Sequence, residues 1–300
     1  MVPNVVDIDI LRENIKAGSF SALARAITLV ENDISPASDI LKSLEINIDI
    51  PVIGITGPPG AGKSTLVNAI TDELCKTDKR IAILAVDPTS PFNYGSILGD
   101  RIRMSSHFNR PNVYIRSIAT RGSLGGLSAK TIEIVDLLRS ANFDLIIVET
   151  VGVGQSELEI AGLADKTILV LVPEAGDEIQ HIKSGLMEVA QAFVVNKADR
   201  DGADVFANKL SKMVKERHLE LPIFKTVADK NDGIIELCEW VLQPNKILTA
   251  RKEYLLAEKA FKLIQNNRMK DVDRNDLVNK LKIHLSEKDF NIYTFIEDWT

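Results

Sequence analysis

Continuous runs of apolar residues alternate with helical patterns along the middle of the chain. Five such runs are predicted to form β-strands, and each ends in a polar or Gly-rich loop: residues 52–55, 81–86, 145–148, 167–172 and 192–195. Apolarity that is continuous rather than alternating indicates strands buried on both faces, as in a parallel sheet covered by helices. Residues 113–115 and 222–224 are weaker strand candidates. We therefore predict an α/β fold with a mostly parallel sheet.

The segments on either side of this pattern are predicted to be helical. Apolar positions recur at helical spacing in both segments, and the second segment also carries dense charge. The pattern predicts an N-terminal helical extension at residues 1–50, an α/β domain at 51–243 and a C-terminal helical extension at 244–300. Each extension either covers the central sheet or forms a subunit interface, and the sequence leaves both open.

The composition argues against several classes of protein. With 42 acidic and 36 basic residues, the net charge of −6 gives no basic surface for nucleic acid or anionic lipid. No run of 18 apolar residues and no secretion signal is visible. Cys75 and Cys238, the two cysteines, match no zinc-binding spacing. We expect a cytoplasmic protein with free thiols, without a nucleic-acid or membrane partner.

A phosphate-binding loop follows the first predicted strand. Directly before a helical pattern, the chain reads Gly57-Pro58-Pro59-Gly60-Ala61-Gly62-Lys63-Ser64-Thr65, which satisfies GxxxxGK[ST]. Glycines let backbone N–H groups surround phosphate oxygens, and the N-terminus of the helix adds a favourable dipole. This P-loop predicts that Lys63 bridges the β- and γ-phosphates and that the Ser64 hydroxyl binds Mg²⁺.

The identity of the base is indicated some 130 residues later by Asn196-Lys197-Ala198-Asp199, which fits the NKxD guanine motif. The Asp199 carboxylate can accept hydrogen bonds from the guanine N1–H and exocyclic amine, which adenine does not supply. Asn196 would hold the base edge and the loop, and the Lys197 stem would cover the purine face. The predicted ligand is therefore GTP or GDP.

Acidic residues follow the predicted strands at the same edge of the sheet. Glu149 and Gly152 stand where an acid reaches the Mg²⁺ shell and a glycine amide reaches the γ-phosphate, although most GTPases have Asp at the first position. Asp87 ends a strand and Asp100 follows a loop of Gly, Pro and Ser, which suits a switch over Mg²⁺. Structural alternatives are that Glu149 caps a strand end and Asp100 a helix. The predicted catalytic set is Lys63, Asp87, Asp100, Glu149 and Gly152, and the predicted metal shell is Ser64, Asp87, Asp100 and Glu149.

These motifs together resemble the MeaB/ArgK GTPases, which belong to a class with the signal-recognition-particle GTPases and MinD-like ATPases. The resemblance covers residues 5–245 and rests on the P-loop, residues 86–101, residues 149–157 and residues 196–199. It implies a metallochaperone-like GTPase that gates cobalamin loading and protects an adenosylcobalamin-dependent acyl-CoA mutase, typically methylmalonyl-CoA mutase. It also implies a homodimer joined partly by C-terminal helices.

The chain departs from the family pattern at three places. Residues 174–185 match a further switch that couples nucleotide state to the partner, but Glu174 stands where Gly is usual. The last guanine-contacting loop matches Val227-Ala228-Asp229, which lacks the hydroxyl of the family's Ser-Ala-x, although its backbone N–H contact to guanine could survive. Gly152 is not followed by the glutamine that orients water in Ras-like enzymes, so intrinsic hydrolysis is expected to be slow.

Two other functions are alternatives. One is a kinase or ATPase linked to arginine and ornithine transport, although no base for an acceptor hydroxyl is evident. The other is a nickel-type metallochaperone GTPase, although Cys75 and Cys238 do not form the Cys/His motif expected near its nucleotide.

Overall fold

A computed structural model describes most of the chain: residues 6–87, 104, 107–119, 129–150, 160–174, 190–217, 220–244, 249–269, 271–285 and 290–297. Seven strands lie in these ranges: β1 (Val52–Thr56), β2 (Ile81–Asp87), β3 (Val113–Ala119), β4 (Leu145–Thr150), β5 (Lys166–Leu171), β6 (Ala192–Asn196) and β7 (Ile223–Thr226). All five predicted strands and both weaker candidates are therefore confirmed.

The helices occupy the segments between and around the strands. They are α1 (Ile8–Lys16), α2 (Phe20–Glu31), α3 (Ala37–Lys42), α4 (Lys63–Cys75), α5 (Ala129–Arg139), α6 (Ala203–Glu216), α7 (Ile234–Leu242), α8 (Thr249–Arg268), α9 (Arg274–His284) and α10 (Ile292–Glu297). Several begin where sequence chemistry favours a start, since Asp7 and Ser19 accept hydrogen bonds from the first turns of α1 and α2.

The seven strands form one sheet in the order β3-β2-β4-β1-β5-β6-β7, and every described pair is parallel. Strands β1, β4, β5 and β6 are buried at every position. That burial explains the continuous apolar runs, because a parallel sheet covered on both faces offers no polar side to alternate with. The predicted α/β fold with a parallel sheet is confirmed.

Successive residues of each strand point to opposite faces and join different parts of the core. In β2, Ala82 and Leu84 pack with α1, α2, α3 and α5, whereas Ile81 and Ile83 pack with α4 and α7. A third cluster joins β5 and β6 to α6 and includes the fully buried Phe193. The sheet is thus covered on both faces, and the loops at its carboxyl edge carry the motifs predicted from sequence.

Polar contacts tie the first helices to the sheet. Arg80 donates a hydrogen bond of 2.9 Å to the Gly18 carbonyl and lies over the rings of Phe20 and Phe143. Arg116 pairs with Glu31 at 2.7 Å. These contacts and the shared apolar cluster make residues 8–42 part of the sheet's covering layer.

The chain divides into two compact units, residues 1–252 and 253–300. The predicted boundaries at residues 50/51 and 243/244 stay predictions. Among the residues described, no helix combines the length and apolarity that crossing a bilayer requires.

Candidate nucleotide-binding site

The P-loop connects the carboxyl end of β1 to the first residue of α4 and passes very close to its neighbours. Gly57 has φ +140° and a Cβ there would lie 2.1 Å from the Val170 carbonyl oxygen. Gly62 has φ +86° and a Cβ there would lie 2.4 Å from Asn196 Nδ2. Both positions require glycine for conformation and for space. The N-terminus of α4 consequently opens directly onto the loop, the arrangement that binds phosphate.

Lys63, the first residue of α4, folds back over the loop. Its Nζ donates hydrogen bonds to the carbonyls of Gly57 at 2.8 Å and Pro58 at 3.0 Å, and the residue is buried. These bonds place a cation within the loop that is predicted to hold the phosphates, where it can offset their negative charge.

Ser64 and Glu149 meet beside this lysine although they are 85 positions apart in the chain. The order of the sheet brings them together, because β4 pairs with β1 and Ile55 lies opposite Glu149. Ser64 Oγ donates to Glu149 Oε1 at 2.6 Å, and both residues are buried. A hydroxyl and a carboxylate oxygen are the donor types that Mg²⁺ prefers, so this pair fits the predicted metal site. The described side chains contain no cluster of three His, Cys, Asp or Glu that could hold a metal.

Asn196, the last residue of β6, connects three parts of the site through its side-chain amide. Its Nδ2 donates to the Ala61 carbonyl at 2.9 Å. Its Oδ1 accepts from Thr226 Oγ1 at 3.1 Å and from the Ala228 backbone N–H at 3.2 Å. With an exposed fraction of 2%, this amide joins the P-loop, the end of β7 and the loop that follows β7. The sequence predicts that Asn196 holds the base edge and the loop; its amide bonds to the P-loop and to the loop after β7, and the contact with the base stays a prediction.

The rest of the NKxD segment lies at the surface of the same edge. Lys197 adopts φ +56° and its Nζ donates to the Gly60 carbonyl at 2.7 Å, so its stem extends from β6 toward the P-loop. Asp199 Oδ2 accepts a hydrogen bond of 2.6 Å from Lys230 Nζ. That hydrogen bond holds the pKa of Asp199 below its usual value, which keeps the carboxylate ionised.

The structure brings many of the predicted site residues to this one edge and leaves others outside its described part. Val227 and Ala228 are buried and Asp229 is exposed, in a short 3₁₀ turn next to Asn196. The backbone of Asp87 ends β2, two strands from β1. The described part of the chain does not include the Asp87 side chain. It also omits Asp100, Gly152 and most of the segments 87–101 and 174–185.

Sequence reasoning missed two residues that contact the motif. Thr226 and Lys230 flank the loop 227–229, and each donates to a residue of the NKxD segment. Their positions in the sequence could have indicated this role, because Thr226 and Lys230 are a polar and a basic residue on either side of the loop predicted to contact guanine. Glu174, noted as a departure from the family, forms an ion pair with Arg200, the residue directly after Asp199.

A second concave feature lies at the opposite edge of the sheet. Residues of α1, the segment before β1 and the turn before β4 enclose a cavity of about 250 Å³. Its lining cations already have acidic partners, because Lys16 pairs with Glu45, Arg139 with Asp165 and Arg12 with Asp9. The cavity therefore offers no open charge comparable with the P-loop edge.

The family model for "Methylmalonyl Co-A mutase-associated GTPase MeaB" matches residues 23–285. The chain belongs to the MeaB family. The match spans the α/β unit and continues into the C-terminal helices, and it makes this protein a P-loop GTPase that binds GTP and GDP.

Relatives with known names agree with this membership. A Pyrococcus horikoshii protein, provisionally named a GTPase, is 44% identical over 288 residues, which cover 93% of this MeaB-family chain and 90% of the relative. GTPase ArgK of Escherichia coli is 42% identical over 193 residues, covering 62% and 58% of the two chains. A Caenorhabditis briggsae protein named "Methylmalonic aciduria type A homolog, mitochondrial" is 40% identical over 207 residues, covering 64% and 50%.

Solved structures show the same fold. The crystal structure of an LAO/AO transport system kinase has a TM-score of 0.69 at 23% identity and covers 99% of this chain and 98% of its own. HypB from Helicobacter pylori in complex with nickel has a TM-score of 0.50 at 17% identity, with coverage of 73% and 93%. At these identities the similarity concerns the fold alone, so neither structure assigns a substrate or a metal to this chain.

Proposed function

We propose that this MeaB-family GTPase gates cobalamin loading into an adenosylcobalamin-dependent acyl-CoA mutase of the methylmalonyl-CoA mutase type and protects that mutase. The observation that carries the proposal is the match of residues 23–285 to a family described by its association with methylmalonyl-CoA mutase. The relative named for methylmalonic aciduria supports the same assignment. The cytoplasmic location stays a prediction.

Within this function, the P-loop binds the phosphates of the nucleotide and the NKxD segment binds its base. Lys63 binds the β- and γ-phosphates together with backbone N–H groups of residues 57–65. Asp199 selects guanine by accepting its N1–H and exocyclic amine, while Asn196 keeps the guanine loop attached to the P-loop. The contacts between Asn196, Ala61 and Ala228 support this division, because they place both loops at one edge of the sheet.

Mg²⁺ would be held by Ser64 and Glu149, with Asp87 and Asp100 completing its shell. When bound, the ion neutralises charge that develops on the phosphates during hydrolysis. The chain's own residues do the remaining work: Lys63 stabilises the same charge, and the buried Ser64–Glu149 pair keeps an oxygen-lined position beside it. Ser64 lies in the first turn of α4 and its hydroxyl bonds to Glu149 of β4, so two elements set its position.

Slow intrinsic hydrolysis gives the partner its role in this proposal. The chain has no glutamine directly after Gly152 to orient the attacking water. Losing one preorganised group of this kind costs about 10²- to 10³-fold in rate. Docking of the mutase against residues 87–101 and 174–185 would complete the contacts to the γ-phosphate. The coupling must be reciprocal, so the mutase must bind the GTP and GDP forms with different affinities.

The C-terminal helices are proposed to join two copies of the chain. They expose large apolar side chains within the unit 253–300, among them Leu256, Phe261, Ile264, Ile283 and Tyr293. Exposed apolar side chains at this density favour association. Sedimentation analysis should give a dimer for the native chain and a monomer for Phe261→Glu, while Val205→Glu, a similarly exposed apolar position on α6, should leave the dimer intact.

The decisive experiment measures phosphate release from GTP with and without a purified adenosylcobalamin-dependent acyl-CoA mutase. Mutase affinity is measured in parallel with GDP and with a non-hydrolysable GTP analogue. Lys63→Ala serves as the control, because any phosphate released in its presence comes from a contaminating enzyme. We expect the mutase to raise the rate and to distinguish the two nucleotide states. If neither rate nor affinity responds, the chaperone function is rejected while the GTPase assignment stands.

A further inference from the structure

The guanine-contacting loop contains a basic residue to which no role has been given. Lys230 follows Val227-Ala228-Asp229, and its ammonium group lies 2.6 Å from Asp199 Oδ2. Val227 and Ala228 have apolar side chains and cannot donate a hydrogen bond to this carboxylate. We propose that Lys230 is a specificity-determining positioning residue, which holds the Asp199 carboxylate in the orientation that accepts two N–H groups of guanine. This inference rests on the proposed binding of guanine by Asp199.

Asp199 needs such a partner because of where it lies. Its side chain is 41% exposed in the turn after β6, so the protein interior does not restrict its rotation. A carboxylate can accept two parallel hydrogen bonds from one base edge only in one orientation, and fixing a rotating side chain upon binding costs conformational entropy. A donor that fixes the carboxylate beforehand removes part of that cost.

The backbone that carries Lys230 is itself held in place. Val227 and Asp232 form a two-bond antiparallel bridge, with N···O distances of 3.1 and 3.3 Å, which closes the loop. The Lys230 backbone N–H donates to the Val227 carbonyl at 2.9 Å. The start of the loop is bonded to Asn196 through Ala228. The lysine stem therefore begins at a position defined relative to β6, the strand that leads to Asp199.

Lys230 and guanine can share the carboxylate. An ionised carboxylate offers about four acceptor positions on two oxygens, of which the lysine uses one and the base edge two. The positive charge also maintains the ionised form that both donors require, in agreement with the lowered pKa of Asp199. Lys225 of β7 provides a matched comparison, because it forms an exposed ion pair of 2.8 Å with Asp204 and does not contact Asp199.

The test compares nucleotides that differ at the two groups read by Asp199. GDP has both N1–H and the exocyclic amine, IDP has only N1–H, and ADP has neither in the required arrangement. Dissociation constants are measured by calorimetry for the native chain and for Lys230→Met, Lys230→Arg and Lys225→Met. Thermal denaturation of each variant checks the fold, which should be unchanged because an ion pair this exposed contributes little stability.

We expect Lys230→Met to weaken GDP binding by about 5- to 20-fold and IDP binding by at most about 2-fold. One hydrogen bond to a charged group is worth roughly 10- to 150-fold in affinity, and a misoriented carboxylate loses part of the bond to the exocyclic amine, which IDP lacks. Lys230→Arg should restore the preference for GDP over IDP, and Lys225→Met should not change it. Equal loss for GDP and IDP would overturn the inference, because it would indicate general attraction of phosphate. Unchanged or tighter GDP binding would also overturn it, because Lys230 would then be inert or compete with the base.

The same measurements separate this inference from the proposed guanine binding. If the native chain binds ADP as tightly as GDP, guanine selection by Asp199 is wrong. If the native chain prefers GDP over ADP and Lys230→Met keeps the native ratio of GDP affinity to IDP affinity, only the role of Lys230 is wrong.

Discussion

Replacing Asn196 with alanine tests whether one buried amide assembles the guanine side of the site. The substitution removes three hydrogen bonds, to the Ala61 carbonyl, the Thr226 hydroxyl and the Ala228 N–H. A buried hydrogen bond contributes about 1 kcal/mol, and leaving its partner unsatisfied adds to the loss. Three such bonds give about 3–4 kcal/mol, a large part of the 5–15 kcal/mol that stabilises a typical domain.

Thr226→Val provides the matched control. It keeps the shape of the side chain and removes only the bond between Thr226 Oγ1 and Asn196 Oδ1, so it should cost about 1 kcal/mol. We therefore expect Asn196→Ala to destabilise the chain more than Thr226→Val does.

Urea denaturation followed by tryptophan fluorescence measures these differences. The chain has two tryptophans, Trp240 on α7 and Trp299 near the C-terminus. A Trp299→Phe background leaves Trp240, whose ring lies 6.0 Å from that of Phe224 in β7, as the reporter of the α/β unit. The reasoning is refuted if Asn196→Ala lies within about 0.5 kcal/mol of Thr226→Val, because the amide would then contribute no more than one ordinary hydrogen bond.

Three further outcomes are expected. Lys63→Ala should abolish GTP hydrolysis in a phosphate-release assay, whereas Lys76→Ala, at an exposed position beyond the other end of α4, should not change it. Asp199→Asn should weaken GDP binding by about 100-fold and improve binding of XDP, whose C2 carbonyl can accept from the new amide; a titration that shows no such exchange would contradict the assigned role. Burial lowers the pKa of His107, so the unfolded chain takes up a proton at a higher pH than the folded chain does. The free energy of unfolding should therefore decrease as the pH falls below about 6.5, and it should level off below the folded-state pKa. Denaturation midpoints at about pH 7.5 and 5.5 should differ less for His107→Leu than for the native chain.

The amino-acid sequence by itself determined the local elements of this protein. The P-loop was predicted from nine consecutive residues, and a helix does follow the loop, beginning at Lys63 within the motif. Continuous apolar runs identified the strands, because burial on both faces leaves a signal in each strand separately. The family also follows from short strings of residues, whose chemistry is set by their spacing along the chain.

Only the tertiary structure decided which of these elements meet. The order of the sheet places β4 and β5 on either side of β1, and this brings Glu149 to Ser64 across 85 positions. Asn196 reaches the Ala61 carbonyl across 135 positions, and Lys230 reaches Asp199 from the loop that follows β7. Contacts of this kind depend on strand order and register, which arise from packing of the whole sheet and leave no periodic signal in either segment. The roles of Thr226 and Lys230 therefore became visible only when β6 and β7 lay side by side.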